Sequence, residues 1–247
     1  MLGISIVVTS GKGGTGKTTC TAAIAQALAG LGSRVLAIDC DIGLKNLDLA
    51  MGLTDDAVWD FSDVISGRVE AQSAIIPHPD IENLFFLSAP SDMFSDDVDP
   101  ALFSSLIKSA KSDFDYILMD SPAGLGSGFR LAASSADMAI IVSTWDAASL
   151  RDGQKAVGIL RRMGVGDVKL IVNRVNPQAF AKTHATVDDI IDVVGAQLIG
   201  VVGEDEAVSL AANLEKPLML FGDRRLCGQF TRIARRVAGE RVPLGRI

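Results

Sequence analysis

Histidine, cysteine and tyrosine are scarce in this chain, with two, three and one among its 247 residues. Cys20, Cys40 and Cys227 are odd in number and widely spaced, which argues against a disulfide framework and against a cysteine zinc site. His78 lies between two prolines and His184 in a polar stretch. Neither has ligand spacing to a second metal-binding residue, so no histidine metal site is expected and both side chains should face solvent. Trp59 and Trp145 are expected as packing anchors. A basic excess is also missing. The 23 basic against 30 acidic residues give a net charge of −7, which disfavours non-specific contact with nucleic acid. No apolar run reaches membrane-spanning length. No signal peptide precedes the first apolar stretch, so a cytoplasmic location is expected.

What is present is a regular alternation. Apolar, β-branched runs at Ile4–Thr9, Val35–Asp39, Leu84–Leu87, Tyr116–Asp120, Met138–Ser143, Val168–Val172 and Leu198–Val201 read as strands. Between and after them, Lys17–Ala29, Pro100–Lys111, Ala147–Met163, Val187–Val194, Glu206–Asn213 and Arg224–Ala238 read as helices, with Gly32 closing the first. A shorter helix should start at the cap Asp60 and stop at Gly67. The pattern predicts an α/β fold in a single domain, a mostly parallel twisted sheet with helices on both faces. In such sheets ligands bind at the carboxyl ends of strands.

The first strand leads into Gly11-Lys12-Gly13-Gly14-Thr15-Gly16-Lys17-Thr18, which fits G-x-x-x-x-G-K-[ST] between a strand and a helix. Glycines let successive backbone N–H groups turn toward phosphate oxygens, and the following helix adds the positive end of its dipole. Lys17 would reach the β- and γ-phosphates, and Thr18 would ligate Mg²⁺. Such a P-loop points to a nucleoside triphosphate. Lys12 is a second cation inside the loop, where it would answer charge developing on a transferred phosphoryl group.

The stretch from Lys12 to Thr19 resembles the deviant Walker A motif of the MinD/ParA ATPases. That resemblance implies that Lys12 reaches across an ATP-bound homodimer to the partner's nucleotide. Asp39-Cys40-Asp41-Ile42-Gly43-Leu44-Lys45-Asn46-Leu47-Asp48 resembles switch I of the family's MinD branch. By that likeness Asp41 orients the attacking water, while Asp39 supports the P-loop and the metal shell. Asp120-Ser121-Pro122-Ala123-Gly124 resembles its switch II, with Asp120 near Mg²⁺. The guanine-reading Asn-Lys-x-Asp is absent. Asn173-Arg174 resembles the family's adenine contact, so ATP is the expected nucleotide, bound by Gly11 to Thr19 together with Asn173 and Arg174. Gly203 stands where the family usually has a proline near the base. Asp152, in Ser149-Leu150-Arg151-Asp152-Gly153, resembles a residue of the dimer face and is expected to pair with Lys12 when no dimer forms.

The resemblance covers residues 3–239, expected as one ATPase domain (1–239) with a short tail (240–247) lacking an evident membrane-targeting helix. It implies ATP hydrolysis, a role in placing the division septum, and MinC-like and MinE- or DivIVA-like partners. It also implies peripheral contact of the ATP-bound form with the inner membrane. A rival reading is a ParA- or FlhG-like positioning ATPase acting on DNA or a polar organelle; a third is a non-catalytic scaffold. The arginine-rich segment from Leu226 reads either as a basic amphipathic membrane helix or as the last core helix, the latter being favoured.

Overall fold

The computed structural model describes residues 2–54, 56–183 and 186–245; His184 lies outside them. Among these residues the strands are β1 (Ile4–Thr9), β2 (Val35–Asp39), β3 (Ile76–Pro77), β4 (Leu84–Leu87), β5 (Tyr116–Asp120), β6 (Met138–Ser143), β7 (Asp167–Val175) and β8 (Gln197–Gly203). They form one sheet in the order β3-β4-β2-β5-β1-β6-β7-β8. All neighbours are parallel except β3, which pairs antiparallel with β4. The helices are α1 (Lys17–Gly30), α2 (Leu47–Met51), α3 (Phe61–Ile65), α4 (Ala71–Ala74), α5 (Pro100–Ala110), α6 (Ser127–Ala133), α7 (Ala147–Arg162), α8 (Pro177–Ala181), α9 (Val187–Val194), α10 (Glu206–Asn213), α11 (Leu218–Phe221) and α12 (Arg224–Val237).

Strand side chains alternate between faces, and both faces are covered. Val7, Leu36, Ile38, Ile117 and Met119 pack in the layer holding Phe61, Phe103 and Phe129. Ile6, Val8, Val35, Ala37 and Leu118 pack in the opposite layer with α1 and α12. A strand buried on both sides must be apolar throughout, which is why the central runs lack polar alternation. Helix α12 settles the two readings of the arginine-rich segment in favour of the core: Leu226, Phe230, Ile233, Ala234 and Val237 are all buried.

The periodic segments appear where expected, with β7 and β8 longer than predicted. The strand β3 and the short helices α2, α4, α6, α8 and α11 were not anticipated. Each has seven residues or fewer, too few to show a period. Asp60 caps α3, accepting from the amides of Ser62 and Asp63.

Two expectations fail here. His78 is buried, not solvent-facing. Its Nε2 lies 2.8 Å from the Met51 carbonyl oxygen, while Nδ1 accepts from the amides of Asp80 and Ile81. The ring thus serves as a backbone bridge just after β3. Trp59 is 38% exposed, so it does not anchor the core; Trp145 does pack, edge-on to Phe180.

Both sheet margins are modified. Pro77 removes a donor from β3. At the other margin Arg236 donates to the Ile199 carbonyl at 2.6 Å and to that of Val242, holding the chain after α12 against β8. Among the described residues no helix is long and apolar enough to cross a membrane.

Candidate nucleotide-binding site

The parallel strands deliver their carboxyl ends to one edge, and every candidate residue except Asp152 of α7 lies at or just beyond the carboxyl end of β1, β2, β5 or β7. After β1 the loop curls at Gly14 (φ 78°) and Gly16 (φ 89°), and α1 begins at Lys17. Gly16 needs its positive φ, and any β-carbon there would also collide with Asn173 Nδ2. Asn173 in turn donates to the Thr15 carbonyl at 2.8 Å, and Arg174 to the Gly14 carbonyl at 3.2 Å. Replacing Gly16 with alanine is therefore expected to destabilise the fold by about 2 kcal/mol or more. Thermal unfolding should show a midpoint several degrees lower; an unchanged midpoint would contradict the contact.

Lys17 is only 8% exposed, and no ion pair to it exists among the described residues. Burying an unpaired ammonium is costly unless an anion arrives. Thr18 Oγ1 donates to Asp120 Oδ2 at 2.7 Å, and Thr21 Oγ1 to Asp120 Oδ1 at 2.9 Å. Asp120 stands beside Asp39 in register across β5 and β2. Burial and the Asp39 charge push the Asp120 carboxyl up to about 7, against the pull of Thr18, Thr21 and Lys17.

Asp39 is bound up with the loop that follows it. Its Oδ1 accepts from the Asp41 amide at 2.8 Å, and its Oδ2 from the amides of Asn46 and Leu47, both at 3.1 Å. The carboxylate is committed to shaping the loop. Burial lifts it to about 6 despite those three amides. Asp41 is half-buried in the same loop. Burial raises its carboxyl and the Lys17 ammonium draws it back.

Lys12 also corrects the sequence reading. Its Nζ lies 3.0 and 3.3 Å from the two carboxylate oxygens of Asp146, not at Asp152. Asp152 pairs with Lys155 at 3.1 Å, although its backbone presses so closely on Gly11 that a β-carbon there would clash. Asp146 caps α7 through the Ser149 amide and accepts from Thr144 Oγ1. Burial works to raise its carboxyl, but the bonds from Thr144, Lys12 and Ser149 outweigh it and bring the value to about 2.

Beside the P-loop, a cleft of about 600 Å³ is lined by Gly16, Thr19, Asn173, Pro177, Gly203 and Phe230, among others. The profile of the CobQ/CobB/MinD/ParA nucleotide binding domain matches residues 6–218. The chain belongs to the MinD/ParA family. It is 39% identical over 246 residues to the septum site-determining protein MinD of Thermotoga maritima, spanning 98% of this chain and 91% of that relative. The MinD fold is equally evident: the MinC:MinD cell division protein complex of Aquifex aeolicus superposes with a TM-score of 0.91 at 38% identity, over 98% of both chains. MinD of Pyrococcus horikoshii, solved with Mg-ADP, gives 0.85 at 30% identity over 96% of each.

Thr21, Thr144 and Asp146 were missed. Asp146 carries the signal used for Asp39 and Asp120, an acid just after a strand, but it lies three residues beyond β6 and outside the MinD/ParA motifs. Thr21 sits one helical turn after Lys17, a spacing that places it on the same face of α1.

Proposed function

We propose that this chain is a Mg²⁺-dependent ATPase that dimerises on ATP and helps to place the division septum. A MinC-like inhibitor and a MinE- or DivIVA-like topological factor are its partners in this reading. The observation that carries the nucleotide chemistry is Lys17, a buried cation without an ion pair, at the mouth of a glycine loop and within electrostatic reach of Asp41 and Asp120. The division role rests on near-full-length similarity to MinD proteins.

In the ATP complex, the amides from Gly11 to Thr19 and the Lys17 ammonium hold the phosphates. The hydroxyl of Thr18 and the carboxylate of Asp120 form a hard-oxygen pair suited to Mg²⁺, which when bound offsets phosphate charge. Asn173 has its Nδ2 tied to the P-loop, which leaves Oδ1 to accept from the adenine amino group. Arg174 closes the cleft beside it. Asp41 orients a water whose oxygen attacks the γ-phosphorus as the bond to the bridging oxygen breaks, giving ADP and phosphate. Lys12 and Asp152 face the second copy, and Lys12 supplies the cation that meets the developing charge there.

Replacing Asp41 with alanine tests this reading. Phosphate release should fall about 100-fold or more, while ATP binding and an ATP-dependent dimer in sedimentation both persist. Unchanged turnover would remove Asp41 from its role, and absence of Mg²⁺-dependent turnover in the unaltered chain would sink the ATPase reading.

A further inference from the structure

One wall of the cleft beside the P-loop is held by a residue that does not line it. Gln229, on α12, is 4% exposed. Its Oε1 accepts the N–H of Gly203 at 3.1 Å, while its Nε2 is buried without a partner among the described residues. Gly203 ends β8 and lines the cleft with Val202 and Glu204; Phe230, the next residue of α12, lines it as well. The reach of Gln229 depends on a second glycine. A β-carbon at Gly200 would run into Ile233, so its absence lets α12 press closely onto β8. Gln229 lies one helical turn before Ile233, and Gly203 lies three residues further along the strand, so the close approach carries one toward the other.

As filler, glutamine is a poor choice at this position. Leucine has a similar bulk and strands no polar atom, whereas a buried N–H without a partner lowers stability. What glutamine supplies is the acceptor for Gly203. We propose that Gln229 is a positioning residue of the base cleft. By fixing the Gly203 peptide it sets the wall against which a purine ring lies, and so governs affinity for the base-bearing half of the nucleotide. This inference rests on the reading of the cleft as the base site for ATP. The phosphate-holding loop and the carboxylates of β2 and β5 are separate from this contact, so Gln229 acts on binding and not on the chemical step.

The test compares ATP with inorganic tripolyphosphate, which has the phosphates and no base. Calorimetric titration with Mg²⁺ of the unaltered chain and of Gln229→Leu should show ATP affinity lowered about five- to tenfold, the size of one net hydrogen bond. Tripolyphosphate affinity should stay within about twofold. In turnover, KM for ATP should rise by the same factor with kcat nearly unchanged. Gln229→Met keeps the length and lacks the acceptor, and repeats the comparison if leucine's branching unfolds the chain. Equal weakening of both ligands would mean a general structural effect and overturn the proposal, as would unchanged ATP affinity. An unaltered chain that binds tripolyphosphate as tightly as ATP would overturn the base-cleft reading itself, before any variant is examined.

Discussion

Lys12→Ala should cut ATP turnover by about 100- to 1,000-fold and abolish the ATP-dependent dimer, while ATP binding stays within a few-fold. The geometry separates the two lysines. Lys17 is buried at the start of α1, the place the proposed function gives to phosphate of its own subunit, whereas Lys12 is turned outward onto Asp146. The Lys12–Asp146 pair has side chains 37% and 48% exposed, so its strength lies in the range of about 0.2–1 kcal/mol for exposed pairs. Nucleotide charge in a second subunit can outcompete it. Acidity cannot release it near neutrality. The Asp146 carboxyl is depressed to about 2, so the pair's contribution is present above the ordinary carboxylate value and is lost only as pH falls through that depressed value. Phosphate release and sedimentation with ATP and ADP measure both effects. Full turnover by a monomeric variant would defeat the trans role.

Asp120→Asn should abolish most turnover yet raise the unfolding midpoint of the nucleotide-free protein. The carboxyl is 1% exposed and is lifted to about 7 by burial and by Asp39. Its raised value means that the folded state binds more protons than the unfolded state between about 4 and 7. Stability from this group therefore falls as pH rises through that window, and the penalty is complete above it. Asparagine keeps the shape without the charge. The single proton of Thr21 Oγ1, directed at the carboxylate in the unaltered protein, can turn to the Lys17 carbonyl 3.0 Å away, which leaves the hydroxyl oxygen to accept from the new amide. A gain on the order of 1–3 kcal/mol is expected at pH 8, shrinking toward pH 5, with the midpoint higher by several degrees. A loss of stability, or a gain independent of pH, would show that Asp120 is comfortable as an anion.

The central sheet was legible because strands buried on both faces must be apolar, and because Gly and Asp punctuate their carboxyl ends. β1, β2, β4, β5 and β6 begin and end as read. The pairing of Lys12 was not legible. The motif likeness pointed to Asp152, but which carboxylate a flexible lysine meets depends on where the loop after β6 places Asp146. His78 misled for a related reason. Flanking prolines look like an exposed turn, and only the fold brings the Met51 carbonyl to the imidazole. The loop-shaping role of Asp39 also needed three dimensions, since its amide donors lie up to eight residues ahead.

The margins of the sheet restrict how copies can meet. Strand addition, the commonest route by which sheets recruit another chain, needs a free ladder of donors and acceptors. Pro77 breaks that ladder on one side, and Arg236 occupies the Ile199 carbonyl on the other. Neither edge therefore offers a second copy an open strand, and in the proposed function the dimer face is left to the loops that carry Lys12 and Asp41 and to the start of α7, where Asp152 lies. In that reading these segments answer to the nucleotide, which makes assembly conditional on what the cleft holds.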